Sequence, residues 1–497
     1  MWPSPYHKGG PASCNRCECN VQNTSCGDSR PVGHDCQPGW YPDPLLDVPD
    51  TGIPLIPQGW SQPILVEVCI PYDAVPGNYS GSLRLARAAA SGAADVASTT
   101  AAASRETFAS IEVRLEVWDI DLPLQNDTDA FSTVFNFDSD LGDWYPAGTP
   151  PEVIWADWLP FLAHHRTPGD SIYLPKPRPV GEYRVLAGTG AKWMGLRDAG
   201  ISFRPPANGT LPPNYVEDVI AQLAPTIANL SALDEGLFDK LYVYGFDEMP
   251  EIYNRSVYEI FGGIKKKWPK LKTMAVLDWE TFASDLPLDI WVDEYADYGT
   301  SASYLEPTAK ERLRQSWLAS SPDHRFWWYW CIGPTDPGSL NTFIERPAVQ
   351  ARLLYWLAAL HAVNGMLYYH VDIWVHQCPK GRPCTPVSRI NQTALTDFDP
   401  ATFPNPSAGS TNGDGSFTYP GAGGKPLGSI RLSNIADGIE DWELFNKLGA
   451  TEASISNAAD LITQLVTNQT DRHEDLGLLE TMRRAAAHRI MAVADRR

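Results

Sequence analysis

Basic charge is scarce in this chain: Lys and Arg total 39 against 60 Asp and Glu, a net charge of −21. That balance excludes an extended nucleic-acid surface, because phosphate contacts need a basic stripe. The densest basic run, Lys265-Lys266-Lys267, is short and reads as a solvated helix face. A membrane-spanning run is missing too. The most apolar stretch, Leu353 to Val371, contains His361, Asn364, Gly365 and His370, and reads as helix, turn and strand. No Gly-rich phosphate loop follows any expected strand, which argues against an open dinucleotide-binding sheet. The opening MWPSPYHKGG has neither the basic start nor the apolar stretch of a secretory leader.

What is abundant is aromatic: 18 Trp and 20 Tyr in 497 residues. Such an excess serves large cores, and it serves sugar clefts, where pyranose C–H faces pack on rings. Five cysteines (Cys14, Cys17, Cys19, Cys26 and Cys36) crowd the start, and Cys378 and Cys384 bracket a Pro-rich loop. Disulfides are expected there, with zinc ligation beside His34 as the alternative for the first group. Cys69 and Cys331 sit in apolar runs and are expected to be buried thiols. Sequons occur at Asn23, Asn78, Asn126, Asn208, Asn229, Asn254, Asn391 and Asn468. Chance would supply roughly three, so a secreted, extracellular or lumenal location is expected.

Length points to two or three domains or one large barrel with an appendage. Residues 1–40 form a Cys-rich segment. Two strands around Pro76-Gly77-Asn78 and a third over Ile111–Trp118 predict a small antiparallel β-sandwich within residues 41–122, interrupted by an Ala/Ser-rich insertion at 87–106. After Pro123 short apolar strands alternate with helical stretches. Expected strands are Ser132–Phe137, Ser171–Leu174, Ile201–Arg204, Leu241–Phe246, Thr273–Leu277, Asp289–Val292, Phe326–Cys331 and Met366–His370. Helical patterns fit Tyr215–Leu233, Ser256–Trp268, Ala309–Ala319 and Pro347–Val363. The rhythm predicts an α/β chain with a (β/α)8 TIM-type barrel over 123–450 and a helical extension over 451–497.

Barrel active sites lie at the C-terminal ends of the strands. Asp247 and Glu248 would end the fourth strand, Asp278 the fifth and Trp330 the seventh, while Tyr369, Asp372 and Trp374 mark the eighth. An acidic and aromatic rim of this kind suits a carbohydrate pocket. The usual retaining glycosidase holds two carboxyls on different strands, yet the seventh strand, ending WWYWCIGP, has no carboxylate until Asp336. A neighbouring Asp–Glu pair fits another scheme. The carbonyl oxygen of a sugar's 2-acetamido group attacks the anomeric carbon, so the enzyme needs no nucleophile. Asp247 would then orient the amide, and Glu248 would act as general acid and base. Burial of Glu248 among aromatics would keep it protonated. The plainer alternative makes Asp247 a helix cap and Glu248 a solvated loop charge.

Tyr329 alternates with Trp330, so one of the two is expected to face the barrel interior. Asp278, Tyr329, Trp330, Tyr369, Asp372 and Trp374 are candidates to line a sugar site; core packing competes for the aromatic ones. His164 and His165 carry no carboxylate at metal-binding spacing, and no metal or other cofactor is expected. Arg166 is expected in an ion pair, and Asp437, Glu440, Asp441 and Glu443 on a solvated helical start.

Several segments together resemble glycoside hydrolase family 123: WYPDPLL at Trp40–Leu46, AHHR at Ala163–Arg166, YGFDEMP, WWYWCIGPTDP, GMLYYHVDIW, and GDGSFTYPG followed by SIRLSNIADGIEDWELFNKL up to Leu448. The resemblance covers roughly 40–450. It implies a β-sandwich, a catalytic barrel and a retaining, exo-acting β-N-acetylgalactosaminidase with substrate assistance, whose adjacent acids correspond to Asp247 and Glu248. The implied partner is an oligosaccharide or glycoconjugate ending in a β-linked N-acetylhexosamine. The Cys-rich start and the Ala/Ser insertion depart from the family pattern, and Ala436 stands where Arg is common. A glycosidase acting on sugars without the acetamide, or a non-catalytic sugar-binding protein, are the rival readings.

Overall fold

The computed structural model describes residues 6–9, 39–45, 63–86, 107–125, 127, 130–137, 141, 145–170, 172, 178–196, 210–233 and 235–280. It continues over 282–295, 308–331, 333–334, 338–344, 346–372, 413–451 and 456–494. The N-terminal cysteines, Cys378, Cys384 and Trp374 lie outside the described residues.

Two antiparallel pairs come first in the chain. Strand β1 (Tyr6–Gly9) pairs with β2 (Gly39–Pro42), and β3 (Gly77–Ala86) with β4 (Thr107–Val117). The expected sandwich is therefore, among the described residues, a single long hairpin. Pro63–Ile70, the apolar run read as the first of these strands, pairs with no strand among the described residues, and its whole length is exposed. An apolar run is not enough for a strand, which also needs a neighbouring edge to bond. Cys69, expected buried, is exposed on this segment, whereas Cys331 is half-buried.

The catalytic-size body is a barrel of eight parallel strands: β5 (Ser132–Asn136), β6 (Gly169–Asp170), β7 (Met194–Leu196), β8 (Leu241–Asp247), β9 (Lys272–Val276), β10 (Ile290–Glu294), β11 (Arg325–Tyr329) and β12 (Gly365–Tyr368). Their order is β6-β5-β12-β11-β10-β9-β8-β7, so the sheet curls round until β6 and β7 face each other. The second strand begins two residues before its expected place. The third is Met194–Leu196, upstream of the expected Ile201–Arg204, which lies outside the described residues. Both are too short to show a period in sequence. A side chain bridges the seam between them: Asp170 of β6 accepts from the Gly195 N–H of β7 at 2.9 Å and from the Tyr242 hydroxyl of β8 at 2.7 Å. Arg178, fully buried, donates to the same carboxylate.

Helices α1 (Pro151–His164), α2 (Val180–Gly188), α3 (Tyr215–Leu233), α4 (Glu235–Phe238), α5 (Asn254–Lys267), α6 (Ala309–Ser320) and α7 (Val349–Leu360) lie between the strands, and α8 (Ile430–Thr451) follows the last. Strands β13 (Tyr419–Pro420) and β14 (Pro426–Leu427) form a small turn before α8, while α9 (Ser456–Ile462) and α10 (Leu476–Ala494) make the C-terminal extension. No helix of the described residues is long and apolar enough to cross a membrane.

Strands buried on both faces read as continuous apolar runs, and here each run splits with period two. On β11, Trp327 and Tyr329 join the barrel interior with Tyr242, Tyr244, Ile290 and Val292. Phe326 and Trp328 point outward into the helix layer. Helix α8 was expected to open with solvated charges. Instead Asp441 and Glu443 lie mid-helix and buried. Asp441 accepts from Arg352 Nε at 2.6 Å, Trp356 Nε1 at 2.7 Å and Arg483 Nε at 2.7 Å. Glu443 accepts from Arg166 at 2.7 Å, the ion pair expected of that arginine. The period-3.6 pattern hid these partners because they come from α7, α10 and the turn after α1. Gly438 brings α8 against α7: a Cβ there would lie 2.7 Å from Tyr355 Cδ2 and 3.0 Å from the Arg352 carbonyl.

Candidate active site

Strand β8 ends irregularly, and that irregularity builds the site. Its pairing with β9 runs Tyr244↔Met274 and then Asp247↔Val276, three residues of β8 against two of β9. The extra residue is a β-bulge, which shifts the pleat by one. Residues three apart normally face opposite sides of a sheet. Across the bulge Tyr244 and Asp247 share the interior side, and the Tyr244 hydroxyl donates to Asp247 Oδ1 at 2.8 Å. Phe246 is turned outward against Phe261 of α5. The backbone is left-handed at Phe246 (φ 61°) and at Glu248 (φ 53°). Side chains other than Gly, Asn and Asp seldom adopt that region, and such conformations cluster at functional sites. The Glu248 N–H still bonds the Val276 carbonyl at 3.0 Å, which locks the turn.

Glu248 is exposed, not buried among aromatics. Its carboxylate accepts from the Tyr329 hydroxyl at 2.5 Å. Asp247 is the acid withdrawn from water. Burial pushes its pKa up to about 6, the Tyr244 hydrogen bond works against that, and the charge on Glu248 adds to it. Tyr329 itself is raised far above the ordinary phenol value, by burial first and by its bond to Glu248 next, so it remains a donor. Tyr244 and Tyr329 belong to one interior cluster. Both carboxylates therefore rest on the same barrel lining at its C-terminal mouth.

Other expected residues fall differently. Trp330 is fully buried in the outer layer, where its Nε1 donates to Thr342 Oγ1 at 2.9 Å and its ring meets Tyr355 and Tyr368. It packs the core and faces away from the mouth, as its alternation with the interior Tyr329 requires. Asp278 is exposed, and its Oδ1 accepts from the Glu280 N–H at 2.9 Å in a turn after β9. Asp372 is buried, 3.7 Å from His370 Nδ1, where its backbone bridges to Ser416. Tyr369 is half-buried and donates to Asp414 Oδ2 at 2.8 Å.

That last contact reveals a carboxylate the sequence reading did not assign. Asp414 stands between Gly413 and Gly415, both with left-handed φ, in the segment returning after β12. It also accepts from the Tyr368 hydroxyl at 3.1 Å. Burial pushes its pKa up to about 6, partly offset by the two tyrosine bonds. Glu294, at the end of β10, is a second unassigned acid; it lies near enough to Tyr329 to help raise that phenol. The Cys331 thiol is pushed up to about 12 by burial, with Asp414, Glu294 and Glu248 all contributing. Carboxylates from β8, β10 and the post-β12 segment thus converge around the end of β11. The signals were present: Glu294 ends an apolar run as Asp247 does, and Asp414 is framed by two glycines.

Residues 213–448 match the family model described as the glycoside hydrolase 123 catalytic domain. The matched region is a glycoside hydrolase 123 catalytic domain. The match begins ahead of α3 and runs through α8, so it includes strands β8 to β12 and both adjacent acids. Among solved structures, a family 123 glycoside hydrolase from Clostridium perfringens, studied for glycolipid glycan hydrolysis, is similar with a TM-score of 0.54 at 13% identity, covering 93% of this chain and 83% of that one. At that identity the likeness shows the fold. A glycoside hydrolase family 2 member from Bacteroides cellulosilyticus matches 53% of this chain and 32% of its own, at 12% identity and a TM-score of 0.30. Active domain 2 of a Pyrococcus furiosus chitinase matches 52% and 90%, at 15% identity and the same TM-score of 0.30. Both scores are too low to carry an argument. No curated protein sequence matches. The domain match supports glycoside hydrolysis, an activity on glycans.

Proposed function

We propose that the protein is a retaining exo-glycosidase that releases terminal β-linked N-acetylgalactosamine by substrate assistance. The supporting observation is the bulge at the end of β8, which turns Asp247 and Glu248 toward one mouth, each held by a tyrosine of the barrel interior. Asp247 accepts the acetamide N–H and steers its carbonyl oxygen onto the anomeric carbon. As that C–O bond forms, the glycosidic C–O bond breaks, and Glu248 gives its proton to the departing oxygen. The resulting oxazolinium carries positive charge beside the Asp247 carboxylate. Water then attacks the anomeric carbon, Glu248 takes its proton, and the ring reopens to the acetamide. Two inversions leave the configuration retained.

The glycolipid glycan hydrolysis described for the Clostridium perfringens enzyme makes a glycoconjugate the favoured substrate class. Sequon number and cysteine usage support a secreted or lumenal setting for such a substrate.

The test is a pair of substitutions assayed on two kinds of substrate. Glu248→Gln is expected to lower kcat by about 10²–10⁴-fold on glycosides with poor leaving groups and far less on aryl glycosides. Asp247→Asn is expected to impair both, and a thiazoline mimic of the oxazolinium should inhibit the wild type. Wild-type turnover by either variant would reject the mechanism. Equal cleavage of an aryl galactoside, without thiazoline inhibition, would favour a sugar lacking the acetamide.

A further inference from the structure

His164 has no acid at a useful spacing in sequence, but the fold supplies partners from 97 residues upstream: its Nε2 lies 3.2 Å from Glu67 Oε1. Glu67 and Cys69 are two apart on segment 63–70, and both are exposed beside His164. One ligand atom from each of Glu67, Cys69 and His164 lies within 4.8 Å of the other two. Around a tetrahedral ion with ligand bonds of about 2.0–2.3 Å, ligand atoms stand roughly 3.4 Å apart. A small closing movement of exposed side chains reaches that geometry.

We propose that Glu67, Cys69 and His164 form a zinc-class cation site that clamps segment 63–70 onto the C-terminal end of α1. The donor set decides the class of ion. Thiolate and imidazole favour zinc or a similar borderline ion over calcium or magnesium, which take oxygen ligands. Three protein ligands leave one position for water or another donor. His165 is turned away and does not join: its Nδ1 holds the Phe161 carbonyl at 2.9 Å, and its ring stands edge-on to His164 with centroids 5.2 Å apart. The site lies at the opposite end of α1 from Pro151 and has no residue in common with the barrel mouth.

The N-terminal cysteines are a second place where zinc could bind, so the test reads differences between full-length proteins. After chelation and buffer exchange, wild type is expected to bind one more equivalent of zinc or cobalt(II) than Cys69→Ser or His164→Ala. The near-ultraviolet thiolate-to-cobalt absorption should fall in Cys69→Ser. Glu67→Gln should retain binding with an affinity at least tenfold weaker, a loss at least as large as that of an outer-shell partner. Zinc should also slow alkylation of Cys69, followed by peptide mapping, at least tenfold in wild type and not in His164→Ala. Identical stoichiometry in wild type and both ligand variants overturns the proposal, as does alkylation of Cys69 at an unchanged rate with zinc. A Cys69 found in a disulfide overturns it too.

Discussion

Asp441 in α8 and Asp247 at the barrel mouth are both carboxylates withdrawn from bulk water, but they are held by different groups. Asp441 is gripped by two guanidinia and an indole N–H. Asp43 is likewise held by Arg431, which also donates to the Gly413 carbonyl at 2.8 Å and so braces the Asp414 segment. At the mouth Asp247 and Glu248 accept from tyrosine hydroxyls, and Asp414 accepts from two, with the Gly415 backbone and the more distant Arg431 charge adding to its support. A guanidinium fixes a carboxylate and cancels its charge. A phenol fixes it and leaves the charge, and the proton, to the chemistry. The flank is built for cohesion, whereas the mouth keeps an excess of negative charge, which suits the cationic sugar of the proposed reaction.

The largest test of that contrast acts on the flank. Asp441→Asn leaves Arg352 and Arg483 without their shared counter-charge, and breaking a buried pair costs about 3–5 kcal/mol. Chemical denaturation should show that loss while activity per folded molecule persists; a loss below 1 kcal/mol would put the network on the level of a surface pair.

The opposite sign is expected at the mouth. The folded-state pKa of Asp247, about 6, lies above its ordinary 3.8. Between those values the folded protein binds the proton more tightly than the unfolded chain. The stability this confers is present at low pH and is lost as pH rises through about 6. Asp247→Asn should therefore stabilise the protein by up to about 3 kcal/mol near pH 7 and by little near pH 3. Denaturant midpoints at the two pH values measure this, and equal shifts at both would show that burial does not strain this acid. In the wild type, activity should fall on the acid side as Asp247 is protonated near pH 6.

Smaller effects sharpen the picture. Gly438→Ala pushes a methyl group into Tyr355 and the Arg352 backbone, and overpacking of this kind costs about 1–3 kcal/mol. A thermal melt unchanged from wild type would mean that α7 and α8 yield there. Tyr329→Phe removes one hydrogen bond to Glu248 and should lower kcat/KM about tenfold, corresponding to roughly 1.4 kcal/mol, with stability little changed. An unaltered rate would separate Tyr329 from the reaction.

Local periodicity carries some of these features and not others. Long two-sided apolar runs such as Leu241–Asp247 and Arg325–Tyr329 declare themselves as barrel strands, and α3 is found at its expected Tyr215–Leu233. Gly169–Asp170 and Met194–Leu196 could not, since two or three residues hold no period and their seam depends on the Asp170 side chain. Trp330 looked like a rim residue because it ends a strand; the pleat turns it outward.

By itself the sequence determined the order of strands and helices and the placing of two adjacent acids at a strand end, because hydrophobic period and chain order are local properties. Only the tertiary structure decided which face those acids share, through one extra residue in the β8–β9 ladder. It alone brought Glu294 and Asp414 to the same mouth, buried the charges of α8 against arginines from elsewhere in the fold, and set Glu67 and Cys69 beside His164. Charge and hydrogen bonding act through distance in space, and residues far apart in the chain become neighbours only when the barrel closes.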